Sequence, residues 1–238
     1  MENKIKAQPL GVADLFSQGW QLYSTYFINI LWVVLWVYIP INLIMPLLPV
    51  NWYLLGGEGT SGLQLSIQLA QIFKSMMGII ATMGIAVIVS QGLHGETMAW
   101  YTALRYSLSK LLTAIGTWVL GLLIIMGLTL LLIIPGLIQA FYYTFSIYAV
   151  ALRNVGGKTA LDYSKRLVQG QWWRIFGIVL LFNLIAQSIG LAVTFLMRLI
   201  ADNFFWDTLT KTITDIVGAY FTVVMAVLFL NSDFLKHE

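Results

Sequence analysis

The sequence has no cysteine and little charge. Of its 238 residues, 10% are Asp, Glu, Lys or Arg, whereas soluble domains contain about 25%. Because cysteine is absent, the chain has no disulfide, no thiolate nucleophile and no cysteine-based metal site. A soluble globular fold of this size is also excluded, since it would need far more charged surface.

Residues that carry catalysis are equally scarce. There are two histidines, His94 and His237, and neither has a partner at metal-ligand spacing. The chain lacks a glycine-rich phosphate loop of the Walker type, and no two carboxylates fall on one helix face within an apolar run. We therefore expect a protein that is not an enzyme, with no catalytic residue, no metal and no cofactor.

Long apolar runs are abundant. Hydrophobic residues make up 59% of the chain, and the mean hydropathy is +0.84. This composition predicts an all-α, polytopic membrane protein in which residues 1–238 form a single integral membrane domain with six transmembrane helices. The predicted spans are Tyr26–Leu48, Ser75–Leu93, Leu111–Ile134, Leu137–Leu152, Ile175–Met197 and Thr212–Leu230. Pro135 and Gly136 are predicted to form a hinge, a tight turn that makes the third and fourth spans antiparallel neighbours.

Three amphipathic helices precede the odd-numbered spans. They are predicted over Gly11–Tyr23, His94–Lys110 and Lys158–Gly170, at the membrane interface on the cytoplasmic side. The third helix has an apolar face of Ala160, Leu161, Ser164, Leu167 and Val168 and a polar face of Lys158, Asp162, Lys165 and Arg166.

All three helices contain the pattern Ala-x-x-aromatic-Ser, which begins at Ala13, Ala103 and Ala160. One interpretation is a threefold internal repeat of an amphipathic helix followed by a hairpin of two spans. The repeat units are then about 10–93, 97–152 and 158–230. The alternative is chance similarity in a chain rich in small residues.

The basic residues predict an orientation. With six spans and a cytoplasmic N-terminus, ten of the thirteen Lys and Arg residues fall on the cytoplasmic side; the exceptions are Lys74, Arg198 and Lys211. This bias predicts a multi-pass protein of a bacterial cytoplasmic membrane with both termini in the cytoplasm. Lys74 lies at the edge of the second span, where it either extends to the interface or acts as a charge inside the membrane.

Several polar residues lie inside or at the ends of the last three predicted spans: Gln139, Tyr143, Ser146, Asn183, Gln187 and Asp215. The functional interpretation is a polar cavity between the fourth, fifth and sixth spans that binds a lipid headgroup or a small solute. The alternative is hydrogen bonding between helices, together with an interfacial pair of Lys211 and Asp215.

A basic and aromatic surface follows the fourth span. It consists of Lys158, Lys165, Arg166, Trp172, Trp173 and Arg174. Basic residues near a membrane surface attract anionic lipid headgroups, and tryptophans favour the interface. The alternative is that these residues only fix the topology and bind no specific ligand.

Three short segments follow one another along the chain: Ile134-Pro135-Gly136, Ala160-Leu161-Asp162-Tyr163-Ser164 and Gly170-Gln171-Trp172-Trp173-Arg174. In this respect the chain resembles the membrane domain found beside glycerophosphoryl diester phosphodiesterases and related six-span bacterial membrane proteins. The resemblance is best over residues 97–182. It implies an architecture and no activity, because no catalytic residue of the phosphodiesterase domain has a counterpart here.

These observations favour a non-enzymatic membrane protein that binds, organises or moves a lipid or amphiphile. Two alternatives remain: an accessory or scaffold protein for another membrane protein, including an immunity or export partner, and a small-solute transporter. Few charges lie in mid-membrane, which is unfavourable for ion-coupled transport. The expected partners are membrane lipids, anionic on the cytoplasmic side, and another membrane protein. Nucleic acid is not expected, because the basic residues lie beside hydrophobic segments.

Overall fold

The computed structural model describes residues 9–47, 60–200 and 203–237. Within these ranges the chain forms helices and no strand, so the all-α prediction is confirmed there. The helices are α1 (Val12–Thr25), α2 (Phe27–Leu47), α3 (Thr60–Leu93), α4 (Trp100–Ser109), α5 (Leu111–Leu131), α6 (Ile133–Tyr142), α7 (Ser146–Arg153), α8 (Gly157–Val168), α9 (Trp172–Ile200) and α10 (Phe204–His237).

Several helices are long and apolar enough to cross a membrane. Five segments of the described chain qualify: Gln71–Leu93 in α3, Leu111–Leu131, Ile133–Arg153 (α6 with α7), Trp172–Ile200, and Phe204–Lys236 in α10. Helices α1 and α2 qualify only as a pair, and they are bent by 81° where they join. The architecture is therefore that of a multi-pass helical membrane protein, with five spans or six if the bent pair counts as one.

Helices α3 and α10 form the centre of the bundle. In their most apolar windows 56% and 44% of residues are buried, against 17% in α5 and 22% in α9. Helix α10 packs against α1, α2, α3 and α9, and α3 also contacts α4 and α7. Small and β-branched residues such as Ala86, Val89, Val224 and Val227 occupy this core, where they permit close contact between helices.

The turn between α5 and α6 lies at Leu132 and not at the predicted hinge. Leu132 is extended, with φ −153° and ψ 126°, while Pro135 and Gly136 lie in the first turn of α6. The prediction of a hinge at Pro135 was wrong because the first N–H groups of a helix have no intrahelical partner, so proline is tolerated there. Gly136 instead lets α6 approach α5, since an added Cβ would lie 2.9 Å from the Thr129 Cα.

The fourth and sixth predicted spans have different limits in the structure. The fourth is interrupted by a turn at residues 143–145, between α6 and α7. The sixth was predicted to begin at Thr212 after a loop, but α10 begins at Phe204 and continues to His237. No proline or glycine occurs between Phe204 and Gly218. Residues 204–211, which were predicted to be part of a loop, therefore continue the helix.

The three amphipathic helices are present as α1, α4 and α8. In α8 the predicted apolar face is buried and the predicted polar face is exposed. The shared motif is not equivalent in all three helices. Its Ala and Ser are buried in α4 (Ala103 and Ser107) and in α8, whereas Ala13 and Ser17 of α1 are exposed.

Candidate ligand-binding cavity

A cavity of about 280 Å³ lies between α2, α3, α9 and α10. Its polar lining consists of Tyr38, Thr82, Gln187, Thr214, Asp215 and Thr222; the remaining residues are Val34, Ala81, Ile85, Ala186, Gly190, Val217, Gly218 and Ala219. Small residues on α9 and α10 leave this space open. A side chain added at Gly218 would meet no heavy atom within 4 Å.

The charged end of the cavity is the carboxylate of Asp215. Lys74 Nζ lies 3.1 Å from Asp215 Oδ1, and Asn42 Nδ2 donates to Asp215 Oδ2 at 2.8 Å. The Asp215 side chain is 11% exposed and that of Lys74 is 34% exposed. These contacts join α10 to α3 and α2, and they compensate a carboxylate that is largely removed from solvent.

An aromatic ring completes the surroundings of the Lys74 ammonium. Its Nζ lies 5.6 Å from the centroid of the Tyr38 ring, which is within the range of a cation–π interaction. The ammonium therefore has a carboxylate and an aromatic face as neighbours. Aromatic faces also occur in sites that bind ligand cations.

Two threonines of the cavity wall offer acceptors. Thr214 Oγ1 donates to the Thr210 carbonyl at 2.9 Å, and Thr222 Oγ1 donates to the Gly218 carbonyl at 3.3 Å. Each hydroxyl proton is thus used within α10, which leaves the oxygen lone pairs as acceptors. Gln187 is exposed and makes no hydrogen bond within the part of the chain that the structure describes.

Of the six predicted cavity residues, the structure brings Gln187 and Asp215 into this cavity. Asn183 lies one turn from Gln187 on α9 and donates to the Val179 carbonyl of its own helix. Gln139, Tyr143 and Ser146 lie on or between α6 and α7 and do not line the cavity.

The cavity therefore lies beside the first and second predicted spans and not beside the fourth. Helices α6 and α9 meet through aromatic rings, with the centroids of Phe141 and Phe176 4.7 Å apart. Tyr38 and Thr82 were missed because single polar residues in apolar helices carry no periodic signal. Thr214 and Thr222 were also missed, although they lie two turns apart on one face of α10. The uncertain position of Lys74 was the available indication.

The predicted pair of Lys211 and Asp215 was also wrong. Lys211 Nζ lies 2.6 Å from Asp207 Oδ2, one turn earlier on α10. Asp207 and Asp215 are each four residues from Lys211. The helix macrodipole favours the arrangement in which the acid precedes the base, and this preference fits the observed pair.

The predicted basic and aromatic surface divides into exposed and structural residues. Lys158, Lys165 and Arg166 are exposed on α8, and Trp173 is 78% exposed. Trp172 is half-buried and stacks on Phe176, with centroids 5.0 Å apart. Arg174 donates to the Leu10 carbonyl and to Gln171 Oε1, each at 2.7 Å, and so joins α9 to the residues before α1.

A second carboxylate is buried near the C-terminal end of α10. Asp233 has no exposed surface and is bound by Arg153 and by the hydroxyl of Tyr163. Burial and the hydrogen bond to Asp233 raise the pKa of Tyr163 to about 12, so this phenol stays protonated at neutral pH. No cluster of three or more His, Asp or Glu side chains able to hold a metal ion occurs in the described residues.

The fold and the cavity define a multi-pass helical membrane protein with a polar site between its helices. Residues 60–232 match the family described as a domain of unknown function, DUF7847, and the chain belongs to this family. The match includes Lys74 and Asp215, whereas Tyr38 and Asn42 precede it. No curated protein and no solved structure matches the chain. The resemblance to the phosphodiesterase-associated membrane domain stays a prediction.

Proposed function

We propose that this protein is a non-enzymatic integral membrane protein that binds, organises or moves a lipid or amphiphile. The supporting observation is the cavity, which has the Asp215 carboxylate at one end and apolar residues such as Val34 and Ile85 elsewhere. An amphiphile has the same division into a polar group and an apolar body. The volume of about 280 Å³ is at the lower limit of ligand pockets, and it suits a small headgroup or one end of a larger molecule.

The full topology that we propose has six spans and both termini in the cytoplasm of a bacterium. An even number of spans is supported by a contact between the two ends of the chain, because the Leu10 N–H donates to Asn231 Oδ1 at 3.2 Å. The same face carries a further contact, from Lys236 Nζ to the Gln169 carbonyl. The positive-inside rule then favours the cytoplasm for this face.

Helix packing supports the proposed threefold repeat. Helix α4 packs against α2 and α3, and α8 packs against α5, α6 and α7. Helix α1 packs mainly against α10. Each amphipathic helix thus lies on spans of the preceding unit, and α1 closes the ring on the last span. A common ancestral unit accounts for this cyclic order, although the motif of α1 has a different burial.

The exposed basic residues of α8 are proposed to bind anionic lipid at the cytoplasmic surface. Lys158, Lys165 and Arg166 each contribute about 1 kcal/mol of attraction when they lie near an anionic surface. The exposed Trp173 adds an interfacial anchor. Arg174 is not included, since its guanidinium is engaged with Leu10 and Gln171.

A small-solute transporter is the second candidate. It is favoured by the Lys74–Asp215 pair, because ionisable groups within membrane segments often mark solute or ion pathways. One observation is unfavourable for transport: within the described chain, Lys74 is the only basic residue that contacts the Asp215 carboxylate. The lipid or amphiphile proposal also accounts for the apolar wall.

Native mass spectrometry of gently extracted protein tests the proposed function. We expect wild-type protein to retain an amphiphile of defined mass, and Gly218→Leu to lose it by filling the cavity. Gly177→Leu is the matched control, because a side chain there also meets nothing within 4 Å but Gly177 does not line the cavity. Retention by the Gly218→Leu variant, or wild-type protein without any ligand, contradicts the proposal. A retained polypeptide favours the accessory role.

A further inference from the structure

We infer that the cavity selects an amphiphile with a protonated amine, and that this group replaces the Lys74 ammonium at Asp215. The inference rests on the proposed function and names the chemical class of its ligand. It depends on the charge that the cavity presents, on its hydrogen-bonding groups and on the unequal exposure of Lys74 and Asp215.

The charge of the cavity wall is negative. Among its fourteen lining residues, Asp215 is the one Asp, Glu, Lys or Arg side chain. Lys74 contacts the carboxylate without being part of the lining. A ligand in the cavity therefore meets the carboxylate directly, and a cation is favoured over an anion in such a low-dielectric site.

Two hydroxyl groups of the wall also present acceptors to a ligand that donates. Thr214 and Thr222 donate their protons within α10 and present acceptor oxygens. Asn42 already donates to Asp215, so its amide is engaged. An ammonium group has three donors and no acceptor, whereas a phosphate or sulfate in the cavity would lie near the Asp215 carboxylate and be repelled by it.

Lys74 shows how an ammonium group fits this site. Its Nζ lies 3.1 Å from Asp215 Oδ1 and 5.6 Å from the centroid of Tyr38. With 34% of its side chain exposed, Lys74 can turn its charge toward water at little cost. Asp215 is 11% exposed and needs a cation when Lys74 leaves. A ligand ammonium restores that contact, so binding exchanges one ammonium for another.

Three probes with the same chain length and different headgroups test this exchange: octylamine, 1-octanol and octyl sulfate. The protein is placed in phosphatidylcholine nanodiscs at pH 7, where the amine is protonated, and thermal unfolding is followed during titration. We expect octylamine to give half-maximal stabilisation at a concentration about tenfold lower than 1-octanol, the factor typical of one charge-assisted hydrogen bond. Octyl sulfate should stabilise no better than 1-octanol.

The variants separate ligand selection from a structural role of the pair. Asp215→Asn should abolish the preference for amine. Lys74→Met should increase it, because the internal competitor is gone. Lys211→Met removes a lysine that pairs elsewhere on α10 and should leave the preference unchanged. If a single variant does not fold, Lys74→Met/Asp215→Asn removes both charges and should bind amine and alcohol alike.

The outcomes distinguish this inference from the proposed function. Equal stabilisation by all three probes overturns the amine class and leaves an amphiphile site in place. The amine class also fails if the preference persists in Asp215→Asn or in the double variant. Stabilisation by none of the probes overturns both the inference and the amphiphile-binding cavity.

Discussion

Arg153 forms an ion pair with Asp233, whose side chain has no exposed surface. The pair joins the end of α7 to the C-terminal part of α10, and Tyr163 of α8 binds the same carboxylate. Asp215 lies 18 residues earlier on α10, or about 27 Å along the helix, which is close to the thickness of a bilayer core. The central helix thus has two paired carboxylates, Asp215 and Asp233, separated by about the thickness of a bilayer core.

Replacing Arg153 should destabilise the protein far more than replacing Lys211. Arg153→Met removes the guanidinium that pairs with the buried Asp233 carboxylate, and the expected loss is about 3 kcal/mol. The control, Lys211→Met, breaks an exposed pair within α10 and should cost about 0.5 kcal/mol or less. Unfolding free energies in mixed detergent micelles measure both. Equal losses would show that the buried pair contributes nothing beyond an exposed one.

The pairs illustrate what could be predicted from the sequence. Helix faces follow from periodicity alone, so the buried and exposed residues of α8 were predicted correctly. The partner of Asp215 is Lys74, 141 residues away, and this contact depends on how α3 and α10 pack. The spacing in the sequence indicated Lys211 instead, because Lys211 has a carboxylate four residues away on each side.

The cavity was only partly predictable for a related reason. Polar residues in a span indicate contacts between helices, but they do not identify the neighbouring helix. Gln187 and Asp215 therefore line the observed cavity, whereas α6 and α7, which belong to the fourth predicted span, do not. The space itself depends on small residues such as Gly190 and Gly218, which have no polar signal.

Ser164 should be more important for stability than Ser107, although both belong to the same sequence motif. Ser164 Oγ accepts from the Phe145 N–H at 3.0 Å and donates to the Tyr142 carbonyl at 2.7 Å. It thereby satisfies backbone groups at the break between α6 and α7, which is necessary in an apolar environment. Ser164→Ala leaves these groups unpaired and should cost about 1–3 kcal/mol.

Ser107→Ala is the control for that experiment. The Ser107 hydroxyl donates to the Ala103 carbonyl of its own helix. Removing this hydroxyl therefore leaves no other group unpaired. The expected loss is below about 1 kcal/mol, measured as for the Arg153 variant. A larger loss for Ser107→Ala than for Ser164→Ala would contradict the role of Ser164 at the break.

Gly136→Ala should destabilise the α5–α6 hairpin. The added Cβ would lie 2.9 Å from the Thr129 Cα, a backbone atom that cannot move without shifting α5. Overpacking of this kind costs about 1–3 kcal/mol. Gly127→Ala is matched to it, because the site is also helical and nothing lies within 4 Å. The control should be neutral or stabilising by up to about 1 kcal/mol. A thermal-unfolding comparison in which Gly136→Ala is as stable as Gly127→Ala, or more stable, would refute the close approach.

The proposed orientation predicts that Lys165 faces the cytoplasm and Lys211 faces the opposite side. The absence of cysteine makes single cysteines unambiguous reporters, and both lysines have exposed side chains. In intact cells a membrane-impermeant maleimide should label Lys211→Cys and spare Lys165→Cys, and permeabilised cells should show both. The reverse pattern would place the basic surface of α8 outside, against the positive-inside rule. Labelling of both in intact cells would mean that α8 and the start of α10 share a face, which is not possible if α9 crosses the membrane between them.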